Sequence, residues 1–374
     1  MQIIDEVQLD FSDVLIKPRR SSLESRSLVN ITRDYYFNHS QKTTVGTGIM
    51  QSNMGTIGTF EVSRKMLANG LFACLHKHHN IEDLIKFYGS LNDDEYDRCF
   101  LSIGLRDKGV EKLEALYKEF DSVPPICIDV PNAYIPSVKN LVVKMRKTYP
   151  LSVIMVGNVV TGDITEDFIL SGADIVKVGI GNGAQCLTRK QTGCGRPQFS
   201  AIVECADAAH QVGGKICSDG GITCPGDIGK AFGAGADFVM IGSLFAGTDE
   251  AEGEIVTKYY HNGEYNKIDI DKIAYRFEPH IIEKKFKQFY GMSSTLAQEK
   301  FGNGKPSYRA SEGRVTLVPY AGPIDEVIEE FLGGLRSTMT YVGAKRLKDI
   351  PKQSVFYKVY HQLNQTYENT TIGK

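Results

Sequence analysis

Two residues capable of covalent or acid–base chemistry lie in glycine-punctuated segments. Cys186 lies in GIGNGAQCLTRK, where backbone and solvent can approach its sulfur and the nearby Arg189 favours a thiolate electrostatically. A thiolate in such a loop can act as a covalent nucleophile, and the alternative is an incidental exposed cysteine. Glu312 in YRASEG could bring a general acid to a ligand if its loop closes, although a surface-loop position alone explains it better.

Two further glycine segments are typical of a phosphate site. SDGG (218–221) and IGS (241–243) follow the seventh and eighth of the apolar runs described below. Backbone N–H groups and a short helix N-terminus commonly bind phosphate at that position in a barrel. Asp219 would then be available for a ribose hydroxyl. The alternative is that the glycines only turn the chain.

Metal chemistry is indicated less clearly. The closely spaced carbonyls of Gly181, Gly183 and Cys186 could ligate a hard monovalent cation, which requires oxygen ligands. The segment HKHH (76–79) invites a zinc interpretation, but four adjacent positions on an extended chain cannot all converge on one ion. Lys77 is better interpreted as a cation that faces a phosphate or a carboxamide.

Eight short apolar runs must position these residues, and most are separated by segments with helical spacing of apolar residues. Eight alternating units indicate an α/β fold, a closed (β/α)8 TIM barrel, and the 374 residues accommodate the ~250 that such a barrel needs. The predicted strands are 45–51, 71–75, 99–104, 126–130, 153–158, 175–180, 214–221 and 238–243.

We expect one barrel domain over residues 1–374, with chemistry on the loops that follow the strands. Residues 1–44 form an N-terminal extension, and the charged, aromatic stretch 258–290 is expected to be an insertion or flap. Cys74 and Cys127 lie in apolar runs and are expected to be small buried hydrophobes.

Composition excludes several classes of protein. A formal net charge of -2 with 24% charged residues suggests neither nucleic acid nor an anionic membrane as a partner. No long apolar run or basic leader is visible, and the eight cysteines lack a disulfide pattern. A cytoplasmic, soluble protein is therefore expected.

The sequence segments given at the end of this paragraph, taken in their order along the chain, together resemble the IMP dehydrogenase and GMP reductase family over nearly the whole sequence. The reductase branch is the closer one, because of its FYGMSS and YRASEG loops and because no regulatory module of ~120 residues follows the second strand. The specific segments are DFSDVLIKPRRSSLESRS, HKHH, MVGNVVTGD, LSGADIVKVGIG, CLTRKQTG, SAIVECADAAH, SDGGITCPGDIGKAFGAGADFVMIG, FYGMSS, YRASEG and LGGLRSTMTYVGAKRLK.

The resemblance implies NADPH-dependent reductive deamination of GMP to IMP. Cys186 would attack C2 of guanine, ammonia would leave after protonation through Thr188 and Glu312, and hydride from NADPH would expel the cysteine. A homotetramer is also implied, and potassium would use Gly181, Gly183, Cys186 and Arg189.

The resemblance further implies two sets of ligand contacts, with part of the second set coming from a neighbouring subunit. For GMP these are Asp219, Gly220, Gly221, Gly242 and Ser243 at the phosphate and ribose, and Met292, Ser293, Ser294, Arg309, Ala310, Ser311, Glu312 and Gly313 at the purine. For NADPH they are Ser25, Arg26, Lys77, Asp129, Val130, Pro131, Ile180, Gly181, Ser293, Tyr308, Arg309, Ser337, Thr338, Met339 and Thr340.

The sequence departs from the family pattern at several points. The cysteine loop reads GNGAQCLTR in place of GPGSVCTTR, Gly55 replaces an aspartate, Ser243 replaces a frequent glycine, and the 258–285 stretch is long. IMP dehydrogenase is the alternative enzyme, but its flap Arg-Tyr pair has no convincing match at Tyr275 and Arg276. A catalytically silent nucleotide-binding barrel is the alternative from another class.

Overall fold

The barrel is formed by eight parallel strands in a computed structural model that describes residues 1, 3–105, 108–261, 281–301 and 312–360. Every position of most strands is buried, as expected for a parallel sheet covered by helices. Strands β1 to β8 are Ile49–Gln51, Ala73–Leu75, Cys99–Ile103, Ile126–Asp129, Ile154–Val159, Ile175–Val178, Lys215–Asp219 and Phe238–Ile241.

The sheet closes on itself. Each strand from β2 to β8 pairs in parallel with its predecessor or successor along the chain, and β8 pairs with β1 through Ile241 opposite Gln51. A parallel bridge between Met50 and Phe72 completes the ring, with the Phe72 N–H donating to the Ile49 carbonyl at 3.0 Å. The predicted (β/α)8 barrel is confirmed.

Twelve α-helices occur in the described part of the chain, and local signals account for their ends. The Thr59 hydroxyl caps the first helix by accepting from the Val62 N–H, Pro136 begins another, and Gly343 ends a third with a φ of 74°. Helices α1 to α12 are Phe60–Ala68, Ile81–Tyr88, Asp93–Arg98, Gly109–Phe120, Pro136–Thr148, Gly162–Leu170, Thr188–Thr192, Gln198–Gln211, Pro225–Gly233, Thr295–Phe301, Ile324–Val342 and Ile350–Gln353.

The N-terminal end of the barrel is covered by a hairpin that the sequence did not reveal. Strands Arg33–Tyr36 and Thr43–Gly46 pair antiparallel, so the predicted strand over 45–51 is wrong in its first half and β1 begins only at Ile49. Tyr35 stacks on Phe238, the first residue of β8, with ring centroids 4.4 Å apart. This packing stabilises the hairpin against the barrel floor.

Other strands lie outside the barrel. Ile255–His261, Ile281–Tyr290 and Val315–Pro319 form an antiparallel three-stranded sheet, so both described ends of the predicted 258–290 insertion are strands. Residues 262–280 lie outside the described part. Val14–Ile16 pairs with Phe356–Lys358. Among the described residues no helix is long and apolar enough to cross a membrane.

The barrel interior changes character along its axis. Toward the N-terminal end it is apolar, and Cys74 and Cys127 are completely buried there, as predicted. Toward the carboxyl ends of the strands it turns polar at Ser102 and Lys177, both buried. The polar end faces the loops that the sequence analysis singled out.

Candidate active site

A cavity of about 670 Å³ opens at the carboxyl ends of the barrel strands. Its walls come from the segments after β1, β4, β6, β7 and β8, with Phe289–Ser293 and 312–313 across the top. Most of the predicted site residues line it: Asp129, Val130, Pro131, Ile180, Gly181, Gly183, Cys186, Thr188, Asp219, Gly220, Gly221, Gly242, Ser243, Met292, Ser293, Glu312 and Gly313.

The three predicted catalytic residues form a hydrogen-bonded chain. The Cys186 thiol donates to the Thr188 hydroxyl at 3.1 Å, and that hydroxyl donates to Glu312 Oε2 at 2.7 Å. Cys186 and Glu312 are far apart in sequence, so folding of the loop after β6 against the segment at 312 creates the chain. A sulfur nucleophile is thereby connected to a carboxylate through one hydroxyl, which is the arrangement needed to move a proton between them.

Backbone pairing fixes this arrangement. Cys186 and Gly313 form an antiparallel bridge, and the Leu187 N–H donates to the Glu312 carbonyl at 2.7 Å. Gly313 is needed for the fit, because a Cβ there would lie 2.6 Å from the Ser294 nitrogen and 3.0 Å from the Ser293 carbonyl carbon. The segments at 186, 293 and 313 are thus packed backbone to backbone.

Arg189 is directed elsewhere than the sequence suggested. Its guanidinium lies 3.4 Å from Asp10 Oδ2 and donates to the Arg196 carbonyl at 2.6 Å. The group hydrogen-bonded to the Cys186 sulfur is the Thr188 hydroxyl. Arg189 therefore ties the cysteine loop to the N-terminal segment.

The glycine segments after β7 and β8 meet at one end of the cavity. Gly220 and Gly221 adopt φ values of 87° and 83°, a conformation that side chains rarely take. Within the described residues, the N–H groups of Gly221, Gly242 and Ser243 donate no hydrogen bond. Residues that line a cavity and have N–H groups without a protein acceptor suit an anionic group such as phosphate.

Lys177 on β6 is the functional residue that the sequence analysis missed. Its side chain is 2% exposed, and its Nζ lies 2.5 Å from Asp129 Oδ1 and 3.1 Å from Asp219 Oδ2. Burial opposes ionisation of Asp129, but Lys177 and Lys77 outweigh it and hold the pKa of that carboxyl below its usual range. Asn158 also donates to Asp219 Oδ2, at 2.8 Å. A lysine within the apolar run IVKV gave no signal of partners so distant in sequence.

Several predicted contacts are not brought to the cavity of their own chain. Ser25 and Arg26 lie at a 3-10 turn that packs against α11, which carries Ser337 to Thr340. The Met339 side chain is completely buried, and the Ser337, Thr338 and Thr340 hydroxyls donate to carbonyls one turn earlier. None of these residues lines the cavity of its own chain.

Ser294 and Gly55 each make a local contact. Ser294 is 1% exposed, and its hydroxyl accepts from the Ala297 N–H at the start of α10, so it serves as a helix cap. Gly55 donates its N–H to Met292 Sδ at 3.0 Å, and the Phe301 ring covers the place of the missing side chain. Residues Tyr308, Arg309, Ala310 and Ser311, like Tyr275 and Arg276, lie outside the described part.

The HKHH segment forms an aromatic stack. His76 lies on His79 with centroids 3.8 Å apart, and His78 lies on Phe301 at 4.3 Å. Burial, followed by the neighbouring His79 and His78, lowers the pKa of His76 to about 2. In the part of the chain that the structure describes, no three His, Cys, Asp or Glu side chains are grouped to hold a metal ion.

Known proteins resemble this chain over nearly its whole length. A family model described as IMP dehydrogenase / GMP reductase domain matches residues 8–268 and 279–365. The chain is 44% identical over 366 residues to a GMP reductase of Caenorhabditis elegans, covering 98% of this chain and 96% of that protein. It is 44% identical over 365 residues to human GMP reductase 2, covering 98% of both, and 45% identical over 366 residues to a GMP reductase of Phytophthora infestans, covering 98% and 94%.

Proposed function

The chain belongs to the IMP dehydrogenase / GMP reductase family, and from that membership we propose that it reductively deaminates GMP to IMP and ammonia with NADPH. The observation that carries the proposal is the hydrogen-bonded chain from Cys186 through Thr188 to Glu312. A redox reaction that begins with displacement of an amine needs a nucleophile and a proton carrier together, and the cavity contains both.

In the first step the Cys186 sulfur bonds to C2 of guanine and the bond from C2 to the amino nitrogen breaks. The thiol proton passes through the Thr188 hydroxyl to Glu312, and Glu312 then delivers it through the Thr188 hydroxyl to the departing nitrogen, which leaves as ammonia. A thioimidate remains on Cys186. Because one proton is only relayed, no other acid is required in this step.

Bound NADPH supplies a hydride. Transfer of that hydride to C2 would break the bond from C2 to sulfur and give IMP, so Cys186 would leave as a thiolate and take a proton from solvent. Asp129, Val130 and Ile180 would hold the nicotinamide end. The fit is supported by the cavity, which these residues and Cys186 line together.

The substrate orientation follows from the distribution of polar groups. Gly220, Gly221, Gly242 and Ser243 would receive the phosphate, because their end of the cavity carries uncommitted N–H donors. Asp219 would accept from a ribose hydroxyl. Met292, Ser293 and Gly313 would contact the purine over Cys186, with Arg309, Ala310 and Ser311 completing the set.

The assay that tests this function follows absorbance at 340 nm in two parallel reactions. With GMP and NADPH the absorbance should fall, and with IMP and NAD, the reactants of the dehydrogenase branch, the absorbance should rise far more slowly. A signal only with IMP and NAD would assign the chain to the dehydrogenase branch. Binding of GMP without turnover in either reaction would indicate a catalytically silent nucleotide-binding barrel.

We further propose potassium as an activating ion, held by backbone carbonyls of Gly181, Gly183 and Cys186, with Arg189 in the same loop. Carbonyl oxygens are suitable ligands for such a cation. Replacing potassium chloride with sodium chloride at equal ionic strength should lower kcat, and an unchanged rate would exclude this role.

A homotetramer is also proposed, because Ser25, Arg26 and Ser337 to Thr340 lie away from their own cavity and require a neighbour to contact NADPH. Sedimentation equilibrium should give four times the mass of the 41.4 kDa chain. A cytoplasmic location is proposed because the cysteines of the described residues are free thiols, as is usual in a reducing compartment.

A further inference from the structure

One ammonium group in the barrel mouth bridges two carboxylates that face different ligands. Lys177 on β6 contacts Asp219 at the end of the neighbouring strand β7 and Asp129 at the end of β4. Asp219 directly precedes Gly220 and Gly221, whereas Asp129 directly precedes Val130 and Pro131, and all of them line the cavity. A single cation thus connects the segment after β7 with the segment after β4.

The ammonium is strongly committed to this bridge. Burial works against the charge on Lys177, but Asp129 and Asp219 outweigh it and hold the lysine pKa well above its usual range. The other titratable groups near it are Cys127 on β4 and Cys217 on β7, both completely buried thiols, and Lys77 acts on Asp129 from the β2 side. A buried cation placed between two partly exposed carboxylates is costly unless both partners remain in position.

We propose that Lys177 is a positioning residue that holds Asp129 and Asp219 in their ligand-binding orientations and thereby couples the GMP and NADPH halves of the cavity. This inference rests on the proposed function, because GMP and NADPH are the ligands assigned to the two carboxylates. Without the ammonium, each carboxylate loses a charge-assisted hydrogen bond and repels the other. Affinity for both ligands should fall together.

The test measures binding of each ligand alone to the full-length protein, by calorimetry for GMP and by fluorescence for NADPH. Lys177→Met removes the charge at similar volume, and we expect each Kd to rise by about 10-fold or more, the scale of a lost hydrogen bond to a charged group. Lys177→Arg keeps a cation but changes its length, so it should recover part of both affinities.

Arg98→Met is the matched control. Arg98 is also buried, but it lies just before β3 at the opposite end of the barrel, and among the described residues its side chain donates only to the carbonyls of Leu67 and Leu71. Its loss should lower Tm while both Kd values stay within about twofold of wild type. The comparison separates loss of a buried cation from loss of this particular bridge.

Measuring NADPH affinity over a pH series gives a result that would not change if Lys177 had a purely structural role. In Lys177→Met the pKa of Asp129 should rise, so with falling pH the NADPH affinity should begin to decline at a higher pH than in wild type. Lys177→Met that binds both ligands as wild type does, with only a lower Tm, would overturn the inference. If Lys177→Met does not fold, Lys177→Arg decides the question. An arginine variant that loses affinity for only one ligand, or for neither, would contradict coupling. Wild type that binds no GMP would instead overturn the proposed function and the inference with it.

Discussion

Substitution of Gly313 by alanine should disable the site without unfolding the protein. The new Cβ would lie 2.6 Å from the Ser294 nitrogen, and ordinary van der Waals contact begins at 3.4 Å, so the two backbones must separate by about 0.8 Å. The displaced segment carries Glu312, whose carboxylate accepts from Thr188 at 2.7 Å. A shift of that size breaks the hydrogen-bonded chain to Cys186.

The expected loss can be estimated from this displacement. A misplacement near 1 Å costs about 100-fold in rate, equivalent to about 2.7 kcal/mol in activation free energy. We therefore expect kcat for NADPH oxidation with GMP to fall about 100-fold in Gly313→Ala. Cys186 itself is unchanged, so residual activity should remain.

Gly333→Ala is the control for this prediction. Gly333 lies in α11, and a methyl group added there would meet no atom of the described residues within 4 Å, so the helix accepts it freely. The kcat of this variant should match wild type, and its free energy of unfolding should rise by about 0.5 to 1 kcal/mol. Gly313→Ala with kcat within threefold of wild type would refute the argument that close backbone packing sets the relay geometry.

Three further predictions concern the relay, the phosphate end and pH. Thr188→Val keeps the side-chain volume but removes the hydroxyl, so kcat should fall by about 10²- to 10⁴-fold while GMP affinity stays unchanged. Thr188→Ser should recover most of the rate. A kcat in Thr188→Val equal to that of wild type would exclude the relay. Gly220→Ala forces alanine to a φ of 87°, so calorimetry should show GMP binding weakened by about 10-fold, and unaltered binding would contradict the phosphate assignment. Burial lowers the pKa of His76 from 6.5 in the unfolded chain to about 2 in the folded chain. The contribution of the neutral imidazole to the free energy of unfolding is therefore full above pH 6.5 and declines by about 1.4 kcal/mol per pH unit below it. Urea unfolding between pH 7.0 and 5.5 should therefore show a smaller loss of unfolding free energy for His76→Phe than for wild type. The same dependence of unfolding free energy on pH in both proteins would contradict this account.

Much of the barrel could be predicted from the sequence because its strands are short apolar runs between helical segments. The exception was 45–51, where Val45 belongs to an antiparallel hairpin and only Ile49–Gln51 enters the barrel. The Val45 side chain is exposed, although the apolar sequence around it predicted a buried strand. Apolar character alone does not say which sheet a run joins.

The site was predictable where residues adjacent in sequence share a loop, as with Cys186 and Thr188. Lys177 was missed because its partners Asp129 and Asp219 are 48 and 42 residues away and only barrel closure brings them together. The resemblance placed Ser294 at the purine and gave no sign that its hydroxyl caps the start of α10. Such local roles are visible only once helix ends are known.

The central claim is that Cys186 carries out a reductive deamination, and the most direct measurement is the stoichiometry of one reaction. Purified protein with excess GMP and limiting NADPH should release one ammonia and one IMP for each NADPH consumed. Cys186→Ala should bind GMP with unchanged affinity and release neither product. Ammonia or NADPH turnover that persists in Cys186→Ala, or NADPH consumption without ammonia, would contradict the account.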